Sequence, residues 1–282
     1  MTNDDLQLLI KAIESIKPEN NLIKDYVYPI ALAFISALMG SLLGYWVVLK
    51  RAQEETEKEK IDSTNKLLLE AADCFHNLQA IKANYAAKLT EDPVQRLGCV
   101  PPILMHHRPS NPEFSGLFYL ARAASQTFKN GTTKESQDNF RNIPRIKLIF
   151  ENYNTALEMW KTRNELALPI FEAIVSGSST RAVTNVSFER ITELVGYTKI
   201  AQLIDLNEKI LSFTDSILSD FMMLMTELPE ASESLISKKI MKRYGKVFRL
   251  EFNPKSKSLI LNRVPVNQDS LNKIIGADSQ NH

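Results

Sequence analysis

The chain has 282 residues, 44% hydrophobic and 24% charged, with a formal net charge of +1. These values fit one membrane span plus one soluble domain of ordinary size. Two cysteines, Cys74 and Cys99, are too few for the disulfide framework of a small secreted protein, and with nine Gly and short β-branched runs the composition points to helices.

Residues 1–25 contain Leu6, Leu9, Ile10, Ile13 and Ile16 at helical spacing, with Asp4, Asp5, Lys11 and Glu14 elsewhere around the wheel. This predicts a short amphipathic helix that lies on a membrane surface, docks on a partner or packs in the ordinary way. Lys17-Pro18-Glu19-Asn20-Asn21 breaks it.

Residues 26–49 (YVYPIALAFISALMGSLLGYWVVL) carry no charge. As a helix they would be roughly 36 Å long, enough to cross a hydrocarbon core of about 30 Å with some tilt. Tyr26, Tyr28, Tyr45 and Trp46 sit at the two ends, where aromatic rings meet headgroups, and Pro29 falls in the first turn, where a missing amide hydrogen matters little. A buried helix of a soluble core is the competing reading, but such helices rarely stay apolar on every face. A cleavable signal is a weaker reading still, given the length of the run, the acidic residues before it and the lack of a small-x-small site after it. Ser36, Gly40 and Gly44 form a line of small residues that would let two such helices approach closely. Lys11, Lys17 and Lys24 precede the segment, while Lys50, Arg51, Lys58, Lys60 and Lys66 follow it; the bias predicts an outside N-terminus and a cytoplasmic C-terminal domain at the inner (plasma) membrane.

Residues 50–66 (KRAQEETEKEKIDSTNK) are good helix formers with mixed charge and read as a solvated stalk. Residues 67–244 read as a helical bundle. Its first stripe, Leu68, Ala72, Phe75, Leu78, Tyr85 and Leu89, is expected to stop at Asp92-Pro93. A Pro-rich connection, Gly98 to Pro109, precedes a second helix capped at Asn111-Pro112 and carrying Phe114, Leu117, Phe118, Ala121 and Ala124 up to Asn130-Gly131. A third is expected over Pro144 to Val175, kinked or broken at Pro169. Ser176 to Asn185 reads as a connector, followed by a short helix near Phe188. Leu203, Ile210, Ile217 and Leu224 then repeat every seven residues beside Ile204, Leu211, Leu218 and Met225, as in a bundle or coiled coil. Asp205, Asn207, Glu208 and Asp220 are expected on the wet side, Pro229 at the end, and a short helix over Glu230 to Tyr244. Residues 245–264 predict a β-hairpin: Phe248, Leu250 and Phe252 alternate, and Asn253-Pro254-Lys255-Ser256-Lys257 reads as its turn. Residues 265–282 read as a tail with a turn or two of helix near Leu271 to Ile275.

Chemistry is sparse. There is no Gly-rich phosphate loop, GxSxG, CxxC or HExxH. Cys74, His76, Cys99, His106 and His107 fall close together in sequence, but Cys74 and His76 are two apart on a helix and the spacing matches no zinc pattern, so no metal, cofactor or catalytic residue is assigned. Asp73 and His76 echo half of a di-iron motif whose other half is missing. Charge is the better signal. Lys238, Lys239, Lys242, Arg243, Lys246, Arg249, Lys255, Lys257 and Arg263 face a single acid, Glu251, within one stretch. Such a run is a solvated face, a surface for anionic headgroups, or a site for nucleic acid or an acidic protein.

The expected architecture is mainly α: a single transmembrane helix continuing into a stalk and a cytoplasmic helical bundle, with a small C-terminal β-hairpin. The expected role is noncatalytic: an anchoring, scaffolding or sensing module whose partners are membrane lipid, another protein or a second copy of itself. The alternative is a membrane-permeabilising effector that oligomerises through its span. A hydrolase or nuclease has only the basic run and His106, His107 in its favour.

Overall fold

The structure, a computed structural model, describes residues 3–16, 26–105, 107–121, 140, 142–177 and 188–276. Lys17, Lys24, His106, Ala124, Asn130-Gly131 and most of the Ser176–Asn185 connector lie outside the described residues. The chain divides into two compact units, Met1–Thr56 and Glu57–His282.

The first unit holds helix α1 (Asn3–Ile16) and the start of α2 (Tyr28–Ala83). α1 has the expected amphipathic sequence, with Leu6, Leu9, Ile10 and Ile13 all about half exposed or more. α2 is long and apolar enough at its N-terminal end to cross a membrane, by length and composition.

The second unit is a helical bundle built from the rest of α2 with α3 (Pro93–Cys99), α4 (Ile143–Gly177), α5 (Phe188–Val195), α6 (Tyr197–Glu233), α7 (Lys238–Tyr244), α8 (Pro254–Leu261) and α9 (Gln268–Gly276). α2 turns Ile61, Thr64, Leu68, Ala71, Phe75, Leu78 and Lys82 inward at three- and four-residue steps, the spacing that keeps one helix face on a core. α4 and α6 pack most extensively on each other. The heptad positions Leu203, Ile210, Ile217 and Leu224 are buried, so this face belongs to the bundle's own interior. A smaller cluster joins Leu97, Ala167, Ile170, Ile191, Ile200 and Leu271 from α3, α4, α5, α6 and α9. Each fully buried side chain of this size contributes about 1.5–3 kcal/mol.

Both interior prolines are carried through. Pro169 lies within α4 and Pro229 within α6, although each removes a backbone donor at a nominal penalty of about 3 kcal/mol. Packing on both sides holds the helices: Ala167 and Ile170 flank the first, Leu228 and Ser232 the second. α6 therefore reaches Glu233, and α7 begins only at Lys238. The first bundle helix ends at Ala83 rather than Asp92, and Asp92-Pro93 starts α3 instead of stopping its predecessor. The Asp92 carboxylate accepts from the amides of Val94 and Gln95, at 2.9 and 2.8 Å. Asn111-Pro112 opens no helix directly; a 3₁₀ turn over Ser115–Leu117 comes first.

The β-hairpin does not form, and no strand occurs among the described residues. Residues 246–252 form neither helix nor strand and lie along α2. The Phe248 amide donates to Asn65 Oδ1 at 2.7 Å, and the Phe252 ring meets Phe75 edge-on at 5.3 Å. Pro254–Leu261 is helical, because Asn253 accepts from the Ser256 amide as an N-cap and Pro254 takes the first helical position. Farther along, Gln79 donates to Ser256 Oγ at 2.9 Å and Lys82 to the Ile260 carbonyl at 3.0 Å. The stretch is thus a strap docked on a helix.

Candidate functional site

Within the first unit, the described residues 26–49 are exposed on every face. Ile30 is 69% exposed, Phe34 66% and Leu42 61%, values typical of polar surface side chains. Among the described residues, nothing outside the helix's own nearby backbone lies within 4 Å of where a Cβ would sit on Gly40 or Gly44. Ser36 donates its hydroxyl to the Leu32 carbonyl of its own helix at 2.8 Å, which leaves that polar group satisfied without water.

Within the second unit, the sequence-predicted basic run separates into two groups. Lys238, Lys239, Lys242, Arg243 and Lys246 sit exposed on and just after α7, while Ile240 and Val247 turn inward. This segment is held against the part of α2 near residues 57–65. The Ser237 amide donates to Glu57 Oε2 at 2.7 Å, Lys58 lies 5.6 Å from the Tyr244 ring centroid, and Asn65 takes the Phe248 amide. Gly245, at φ +113°, turns the chain out of α7 in a conformation that side chains with a Cβ rarely adopt. Arg249 is committed to acids, with Glu233 at 2.8 Å and Glu230 at 3.5 Å. The hydrogen bond to Glu233 raises its pKa above the ordinary guanidinium value. Lys257 is exposed on α8, and Lys255 lies beside it in the chain. Arg263 donates to Ser219 Oγ at 2.8 Å and lies by Asp215. Since the strap follows α2 from Glu57 to Lys82, about 37 Å of helix separates its two ends. The nine bases are therefore not one surface.

The cysteine and histidine cluster is dispersed. Cys74 and His76 share a cleft of about 380 Å³ with Glu70, Asp73, Arg108 and Tyr153. Burial pushes the Cys74 thiol up to about 11, so it is no thiolate near neutrality. Cys99 ends α3, and His107 pairs with Glu158 at 3.0 Å. Among the described residues no group of three potential ligands could hold a metal ion.

Sequence reasoning missed a buried polar network. Asn207, expected to be wet, is fully buried, and Glu208 is nearly so. Arg163 is 0% exposed and donates to Asn207 Oδ1, to the Pro101 carbonyl and to the Val100 carbonyl; burial pushes its pKa down to about 10. Arg96 pairs with Glu208 and donates to the Thr90 and Val264 carbonyls. Beside it a larger cleft of about 1180 Å³ is edged by Lys82, Tyr85, Met159, Phe213 and Asp215. Lys82 and Arg163 occupy positions that continue the apolar stripes of α2 and α4, a pattern that does not by itself say whether the charged head reaches water. Comparison with family models, characterised proteins and solved structures finds no match for this chain.

Proposed function

We propose that this is a single-pass inner-membrane protein, crossing the bilayer through residues 26–49 with its N-terminus outside, and that its cytoplasmic helical unit acts by contact as an anchoring, scaffolding or sensing module. The observation that carries the reading is the exposure of an entire apolar helix segment, residues 26–49, on every face among the described residues. In water each large side chain left uncovered forgoes about 1.5–3 kcal/mol, whereas hydrocarbon supplies that transfer for all of them and leaves the helix as a stable form of the backbone. The excess of Lys and Arg after the segment supports the orientation. The test is fractionation of expressing cells. The chain should stay in the membrane pellet through alkaline carbonate and leave only with detergent, and a C-terminal tag should survive external protease in spheroplasts. Release by carbonate, or digestion of that tag, would reject the span or its orientation.

A second reading, a permeabilising effector, is favoured by the open space over Gly40 and Gly44, which leaves the line with Ser36 accessible to another helix. It predicts that induced expression collapses membrane potential and that Gly40→Leu with Gly44→Leu prevents the collapse. Cells with unchanged potential would reject it.

A further inference from the structure

We infer that the exposed face formed by α7 and the residues just after it, carrying Lys238, Lys239, Lys242, Arg243 and Lys246, is a contact surface for the anionic headgroups of the same membrane, an inference that rests on reading residues 26–49 as a span. Three observations meet here. First, Lys238, Lys239, Lys242 and Arg243 lie at i, i+1, i+4 and i+5 on α7 with Ile240 turned inward, and beyond Gly245 Lys246 is exposed while Val247 is buried, so the bases are gathered on the outer side of a docked amphipathic segment. Second, two aromatic rings stay in solvent among them, Tyr244 at 45% and Phe248 at 38% exposed, the residue type that settles at headgroup depth. Third, the segment is fastened to α2 at Glu57, Lys58 and Asn65, and Glu57 follows Leu49 by eight residues. Even fully extended, eight residues reach no more than about 29 Å. So short a tether keeps the local concentration of headgroups high for these bases.

Three neighbouring acids have partners of their own. Glu57 accepts from Lys60 and from the Ser237 amide, and Glu230 and Glu233 are engaged by Arg249. Each base close to an anionic leaflet is worth about fivefold in affinity, and five together suffice for a stable but salt-sensitive contact. The contact would hold unit two against the inner leaflet and leave the rest of its surface for a partner. Neutral lipid offers no such attraction.

The test uses the full chain in nanodiscs of phosphatidylcholine alone or with roughly one third phosphatidylglycerol, read by hydrogen–deuterium exchange. The amides of residues 238–250 should exchange roughly fivefold or more slowly in the anionic discs, and the difference should vanish at about 0.5 M salt, where screening is nearly complete beyond about 4 Å. Replacing the five bases together by Gln should abolish it, while R263Q should leave it intact. Equal exchange in both discs, or slowing by a single-stranded oligonucleotide in neutral discs but not by anionic lipid, overturns the inference. Insertion into the discs with equal exchange rejects this surface alone. Failure to insert into either disc rejects the span and the surface together.

Discussion

At the residue scale, the interior of the second unit is held by charges as well as by apolar side chains. Lys82 is 1% exposed, and its ammonium lies 2.8 Å from Asp215 Oδ1 while donating to the Ile260 carbonyl. The carboxylate contact is a charge pair rather than an aligned hydrogen bond, since Oδ1 accepts none from the described residues. Replacing one partner strands the other in a low-dielectric site, whereas replacing both with apolar groups of similar size need not. Lys82→Met should therefore destabilise the protein by about 3 kcal/mol, and adding Asp215→Leu should restore most of the loss, as read by chemical denaturation in detergent. A second consequence concerns alkali. Burial pushes the Cys74 thiol from 9.0 up to about 11 and the Tyr153 phenol from 10.0 up to about 12. Burial also raises the Tyr85 pKa, with Asp215 adding to it. Groups with a raised folded-state pKa hold their protons longer than the unfolded chain does. Their contribution is complete below the unfolded value and is lost as pH climbs through the folded one. Stability should thus fall from about pH 9 to pH 11, on the order of 2 kcal/mol from Cys74 alone, and Cys74→Ala should make the fall shallower. None of these buried charges was legible beforehand, because a Lys or Arg within an apolar stripe has the same pattern whether its head reaches water or a buried carbonyl.

At the element scale, the same two-residue signal was read in opposite senses. An Asx-Pro pair ends a helix when the residue before proline is driven to extended backbone, and begins one when Asx caps and Pro takes the first helical position. Asp92-Pro93 and Asn253-Pro254 both begin one. Of the alternating residues Phe248, Leu250 and Phe252, the last two pack on the core while Phe248 is exposed and Val247 is buried instead, so period two gave only part of the inward face. It does not say whether the cover is a strand or, as here, α2. The long stripes of α2, α4 and α6 were legible because sustained three-and-four spacing has no other reading. Element contacts also include one tight approach. Gly116, in the turn Ser115–Leu117, is so close to α2 that a Cβ there would stand 2.2 Å from Ser63 Oγ and 2.6 Å from its Cβ. Gly116→Ala should cost about 1–3 kcal/mol by forcing turn and helix apart. Ser63→Ala should not rescue it, because the Ser63 Cβ remains, while Ser63→Gly should, minus about 1 kcal/mol for glycine in a helix. Thermal unfolding of the four variants in parallel separates these outcomes.

At the scale of the whole molecule, the two units differ in how much of their apolar surface is covered. Every buried hydrophobic residue among those described lies at Ile61 or beyond. The charge-lined run before it, residues 50–60, contributes none. The second unit's core is therefore complete without Met1–Thr56, and its exposed large apolar side chains, such as Leu104, Phe118 and Leu261, are scattered as on ordinary soluble domains. In the first unit none of the described residues is buried, and residues 26–49 present apolar side chains on every face. A fragment beginning at Glu57 should consequently express as a detergent-free monomer with helical circular dichroism and one cooperative thermal transition, while the full chain should need detergent to remain monodisperse. A fragment that binds hydrophobic dyes and melts without a transition would mean that residues 61 onward depend on the segment before them. A detergent-free, monodisperse full chain would instead mean that residues 26–49 find cover in water. The two failures are distinguishable, because the first removes the independence of the bundle and the second removes the bilayer.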